Sequence, residues 1–209
     1  MDNNTDPYRI TDIAALERIY GAPSGAAVAK ELDYLHPHYQ LLIAKSPFAV
    51  LATAGPGGLD TSPRGDAPGF VVVENEKTLL LPDRKGNNRI DSLRNIVADC
   101  RVALLFMIPG IGETLRVNGR AAITTAPAVL ERFRMEGALP RSVIVISVET
   151  VFFQCSRALW RSKLWDPATQ IERASLPSLG TMVEDISGAK IKAAEYDRDL
   201  YPRLKSTLY

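Results

Sequence analysis

The chain has 209 residues, 46% of them hydrophobic, with 25 Lys plus Arg against 24 Asp plus Glu and a net charge of +1. A protein that grips nucleic acid through its phosphates carries a basic excess, because neutralising them dominates its affinity; the even balance here argues against that class. A chain of this length buries roughly 70% of its unfolded surface, enough for one sizeable core, and its apolar runs fall short of the ~20 residues of a membrane span.

The opening MDNNTDPYRITD is polar and acidic, with no basic or apolar leader region, so a cytoplasmic location is expected. Residues 11–20 carry apolar positions at helical spacing, with Thr11 or Asp12 as cap and Gly21 as stop. A second helical stretch is expected from about Gly25 to Lys45, broken or bent at Pro37 and ended by Ser46-Pro47. Phe48 to Thr53 reads as a buried strand, Gly55 to Gly58 as a turn and Leu59 to Arg64 as the returning strand. Gly69 to Glu74 and Thr78 to Leu81 form a second hairpin. The polar run DRKGNN then leads into IDSLRNIVAD, which is helical in period.

Arg101 to Ile108 and Thr114 to Thr124 read as paired strands around Pro109–Gly112, and Pro127 to Gly137 as a short helix with Pro at its start. Arg141 to Phe153 is a long β-branched strand, followed by SRALWRSKLWDP, expected to be helical, and a charged C-terminal region. Six or more strands joined mostly by short turns, with helices at the edges, predict a small antiparallel barrel in a single domain. Helices about 11–45 would precede the barrel, and an extension of about 167–209 would follow it.

Four clusters could carry chemistry. Asp83, Arg84, Lys85, Asn87, Asn88 and Arg89 crowd the entry to a helix, where free N–H groups and the positive dipole end favour an anion. Arg89 could grip phosphate oxygens while Asn88 caps the helix or donates from its amide; a solvated loop with an Asn cap is the alternative. Thr61-Ser62-Pro63-Arg64-Gly65-Asp66 marks a strand end, since Pro63 cannot donate to a ladder and Gly65 permits close approach; a plain turn with a surface ion pair would look similar. Thr114 and Arg116 share one strand face, with Leu115 and Val117 on the other. Trp160, Arg161, Ser162, Lys163 and Trp165 could cover a flat ligand or simply pack on the barrel.

Other signatures are absent from the sequence. There is no GxxxxGK[ST] loop, and Gly55-Pro56-Gly57-Gly58 leads into a strand without the third glycine of a dinucleotide fingerprint. His36 and His38 are the only histidines, which argues against a catalytic triad or a three-histidine zinc site. Cys100 and Cys155 lack CxxC spacing and read as buried free thiols, with a disulfide or reactive pair as the alternative.

Taken together, SPF-VLAT, SPRGD-PGF, LL-PDR-GNNR-DSL-N, PG--ETLRVNGRA and RS-LW resemble the pyridoxamine 5'-phosphate oxidase-like family, from about Tyr20 to Asp166. The resemblance implies a mainly β fold with flanking helices, a six-stranded antiparallel split β-barrel of the FMN-binding type. It also implies a homodimer with FMN at the interface, and an FMN-dependent oxidoreductase whose substrate is unassigned. Arg64, Gly65 and Asp66 would then lie beside the flavin, Pro82 and Asp83 at the next strand end, and Arg84, Lys85, Asn88 and Arg89 at the phosphate. Thr114 would reach the flavin from the following strand, while Ser162, Lys163 and Trp165 would close the site. No histidine follows His38, unlike the true oxidase, whose C-terminal Arg and His engage the vitamin substrate. A non-catalytic flavin module, or an enzyme using deazaflavin or haem, are the competing expectations.

Overall fold

A computed structural model describes residues 6–209; residues 1–5, part of the polar opening segment, lie outside the described residues. The chain divides into two compact units, one ending at Glu31 and one running from Leu32 to Tyr209. In the first unit, α1 (Ile13–Tyr20) starts at Asp12, whose carboxylate accepts from the Ala15 N–H at 2.7 Å, and stops at Gly21, whose φ of 69° favours glycine. A short helix, α2 (Gly25–Ala29), is capped by Ser24.

The expected helix over 25–45 is therefore two helices, the second being α3 (Pro37–Lys45) in the larger unit. Between them, Leu32 forms an isolated antiparallel bridge with Val151, and the Leu35 N–H donates to the Glu76 carbonyl. Those pairings recruit the backbone to the sheet, and Pro37 can only open a new helix, having no N–H to continue an old one.

Seven strands follow: β1 (Phe48–Gly55), β2 (Gly58–Gly65), β3 (Val72–Asn75), β4 (Thr78–Asp83), β5 (Arg101–Met107), β6 (Thr114–Thr124) and β7 (Ser142–Gln154). All pair antiparallel, in the order β2-β1-β5-β6-β7-β4-β3. The count is seven rather than six because β3 is a four-residue edge strand that pairs with β4 alone and slips register at Val73/Asn75. The sheet is open, since no ladder joins its two end strands. Its alternation places Leu51, Leu104, Phe106, Leu115, Val117, Ile144 and Ile146 in one core, each essentially inaccessible, with Leu35 and Ile43 beside them. The register of β6 on β7 shifts between Asn118 and Gly119, where Glu149 of β7 is the unpaired extra residue; a Cβ on Gly119 would run into the Ser147 carbonyl.

The helices are α4 (Asp91–Ala98), α5 (Pro127–Glu131), α6 (Arg157–Ser162), α7 (Leu179–Ile186) and α8 (Ala193–Ser206). Asn95 on α4 donates to Thr53 Oγ1 of β1 at 3.0 Å, which ties that helix to the sheet. The last two helices are joined by Asp197, whose carboxylate accepts from the Gly180 N–H at 2.8 Å and from Ser178. Neither cysteine is in a disulfide, but Cys100 is half-buried and Cys155 exposed, so neither is the buried core thiol expected from its apolar flanks. Among the described residues no helix is long and apolar enough to cross a membrane.

Candidate functional site

Where the ladder stops, side chains take over. Arg64, near the end of β2, donates from Nη1 to Asp83 Oδ1 at the end of β4, 3.0 Å away. One step further, Arg84 Nε donates to Asp66 Oδ2, also at 3.0 Å. These two ion pairs span β2 and the exit of β4, which no backbone ladder joins.

A cavity of about 490 Å³ opens along this seam, within the ~300–1,000 Å³ usual for small-molecule sites. One wall is Asp60 to Arg64 on β2; the other is Asp83, the loop through Ile90 and the first turn of α4. Arg141 and Ser142 complete it from the start of β7. The carboxylates in the wall are occupied: Asp83 by Arg64, Asp91 by Arg89 Nε at 2.7 Å, and Asp60 by the Ser92 hydroxyl at 3.2 Å. Ser92 itself lies 3.0 Å from the Ser62 hydroxyl.

The cations are less fully matched. Lys85 has no hydrogen-bond or ionic partner among the described residues, and Arg141 Nη1 donates to the neutral amide oxygen of Asn88 at 3.0 Å. Arg64 Nε is buried with no acceptor. An N–H so placed costs free energy unless something supplies its acceptor. The wall is thus prepared for an anion with several oxygens.

Of the sequence-predicted residues, Arg64, Asp83, Arg84, Lys85, Asn88 and Arg89 all line this cavity. Gly65 and Pro82 line a smaller adjoining one, shared with Arg64, Arg84 and Lys85. Asp66 faces the other way: its side chain is 3% exposed and accepts from Arg84, the Ala67 N–H and the Tyr209 hydroxyl. Asn88 is not the helix cap. The position before α4 is Ile90, held left-handed at φ 53° without a side-chain cap, and Asn88, at φ 60°, is turned to Arg141 instead.

Thr114, Ser162, Lys163 and Trp165 line none of the cavities at this seam. They form a separate group at the outer end of β6 and β7. Thr114 Oγ1 lies 3.4 Å from the Gln154 amide, and that amide's oxygen accepts from Arg116 at 2.6 and 3.2 Å. Trp165 Nε1 donates to the Ile111 carbonyl at 2.8 Å, Ser162 closes back on the Leu159 carbonyl, and Lys163 ends α6 at φ 52°. Trp160, 74% exposed, stands beside them.

Sequence reasoning missed Asp60, Ser92, Arg141 and Tyr209. Arg141 carried a signal, as a lone cation directly before a β-branched run; nothing local marked the other three.

A sequence profile of the pyridoxamine 5'-phosphate oxidase family matches residues 35–155. No curated protein matches the chain. Among solved structures, HupZ of Group A Streptococcus is 23% identical over 58% of this chain and 94% of its own, with a TM-score of 0.47. A Clostridium acetobutylicum protein related to general stress protein 26, of the pyridoxinephosphate oxidase family, is 12% identical over 56% and 86%, TM-score 0.43. The FAD binding protein of Mycobacterium smegmatis is 14% identical over 59% and 97%, TM-score 0.41.

Proposed function

The chain belongs to the pyridoxamine 5'-phosphate oxidase family, whose profile covers more than half of it, and from that premise we propose that it is an FMN-dependent oxidoreductase working as a cytoplasmic homodimer. The observation that carries this reading is the imbalance in the seam cavity: Lys85 and Arg141 line it without carboxylate partners. That donor set suits a phosphate, which presents several strong acceptor oxygens and excess negative charge.

Bound flavin would supply hydride or electron transfer. The chain's own residues bind and orient it. Arg84, Lys85, Arg141 and Arg89 hold the phosphate, with Arg89 exchanging its exposed contact to Asp91 for phosphate oxygen. Asn88 keeps Arg141 in place, and the Asp83 carboxylate fixes the Arg64 guanidinium in the wall. Asp60, Ser92 and Ser62 form a polar chain along the same wall, suited to hydroxyl groups of the ligand. No side chain here is assigned as a general base.

Thr114, Ser162, Lys163 and Trp165 would close the cavity of the second subunit. Their separation from the seam and the exposure of Trp160, Leu164 and Ile111 around them support that arrangement. Neither His36 nor His38 lines the cavity, so a haem would find no imidazole ligand there. The test is the visible spectrum after loading with FMN and removing unbound ligand. A retained flavin band is expected, followed by its bleaching by a nicotinamide donor and recovery with an oxidant. A protein that stays colourless at micromolar excess overturns the reading, and a bound flavin that no donor reduces would make it a non-catalytic module.

A further inference from the structure

Tyr209, which follows α8, lies 143 positions from Asp66 in sequence, yet its hydroxyl donates to Asp66 Oδ1 at 2.8 Å. That carboxylate is nearly inaccessible and already accepts from Arg84 Nε and the Ala67 N–H, so the tyrosine supplies a further donor to its oxygens. The Tyr209 ring sits against the same arginine, with the Arg84 guanidinium carbon 5.5 Å from the ring centroid. Arg84 is held from a third side as well, its Nη1 donating to the Phe133 carbonyl at 2.7 Å.

Arg84 borders the main cavity and each of the three smaller ones around the seam, so its conformation shapes all their walls. Tyr209 borders only one of the small ones, and not the main cavity. It therefore has no contact with a ligand there except through Arg84. A guanidinium fixed before an anion arrives loses less freedom on binding it.

We propose that Tyr209 is a positioning residue of the cofactor site, holding Arg84 through Asp66 and ring stacking so that the phosphate end of the ligand meets a preset cation. This rests on the FMN reading above. It predicts an effect confined to ligands that carry a phosphate, which a loss of packing alone would not produce.

The experiment compares FMN with riboflavin, which lacks the phosphate, in binding titrations of wild type, Tyr209→Ala and Tyr209→Phe at one ionic strength. Tyr209→Ala is expected to weaken FMN about tenfold and to leave riboflavin within about twofold. Tyr209→Phe, which keeps the ring and loses the donor, should fall between, at about threefold. Equal losses for both ligands, or no loss for FMN, overturn the role of Tyr209 while the FMN reading stands. A wild type that binds neither ligand, or binds both alike, overturns the phosphate reading and this inference with it.

Discussion

Arg64 shows how one side chain can brace two strand ends that no ladder joins. Its pair with Asp83 is mostly shielded, the two side chains being 19% and 16% exposed. Removing one member of such a pair leaves the other charge uncompensated, whereas removing both takes away the desolvation cost as well. Arg64→Ala should therefore lose about 2 kcal/mol, less than for a fully buried pair because water still reaches both groups. Asp83→Ala in the same chain should recover most of that loss in urea unfolding; a double variant no better than the single would mean the two residues act independently. Arg89 makes the opposite case. It is 75% exposed and paired only to its neighbour Asp91, so Arg89→Ala should weaken FMN binding about 10- to 100-fold with an unchanged unfolding midpoint. Retention of FMN at wild-type affinity would remove Arg89 from the site. Both arginines were legible in the sequence because their partners or their cluster lie close by in the chain. Ser92 and Tyr209 were not, since each gains its meaning from a strand far off in sequence.

At the level of elements, strands were easier to read than what precedes a helix. β6 runs over the expected Thr114–Thr124, because its alternation of apolar and polar positions is unbroken. At the entry to α4 two asparagines suit a cap or an amide contact equally, and the structure gives Ile90 the left-handed position before the helix and turns Asn88 to Arg141. Only the fold could decide between those uses of an amide. The contact from the segment after α8 to Asp66 carries its own pH dependence. Burial alone would raise the Asp66 carboxyl, but hydrogen bonds from Tyr209, the Ala67 N–H and Arg84, with the charge of Arg84, hold it below its ordinary value. A carboxyl depressed in the folded state contributes stability in full above its unfolded value, about 3.9, and loses it as pH falls through the folded one. Pepsin cleavage within residues 193–209 should therefore rise as pH falls below about 4 in wild type. In Asp66→Asn that step should be missing, and an identical profile in the two proteins would remove Asp66 as the cause.

For the whole molecule, the sequence pattern conveyed a mainly antiparallel barrel with helices around it, and the seven strands follow that pattern segment by segment. It could not convey that the sheet stays open, because closure depends on which strands meet after all have paired. Nor could it convey that Thr114 and Trp165 stand apart from Lys85 and Arg89 within one subunit. If the site is shared between subunits, the two groups belong to different chains, and this can be tested by complementation. Arg89→Ala and Trp165→Ala homodimers should each bind FMN weakly. After mixing and exchange, half of the dimers should be mixed and each should carry one intact site, so about a quarter of all sites recover. No recovery despite demonstrated exchange would place both groups in one chain's site.

The open end of the sheet has a consequence for life in a crowded cell. β2 is an edge strand, and an unpaired edge is a template on which another chain can add itself. Pro63 sits near the end of β2, opposite Val50, and brings no N–H to that edge. The proline thus guards against fibre-like addition at the place where the barrel is left unsealed. Replacing it with valine should leave the secondary structure as it is and raise light scattering on warming; a variant that stays as clear as wild type would show that the edge is guarded by other means.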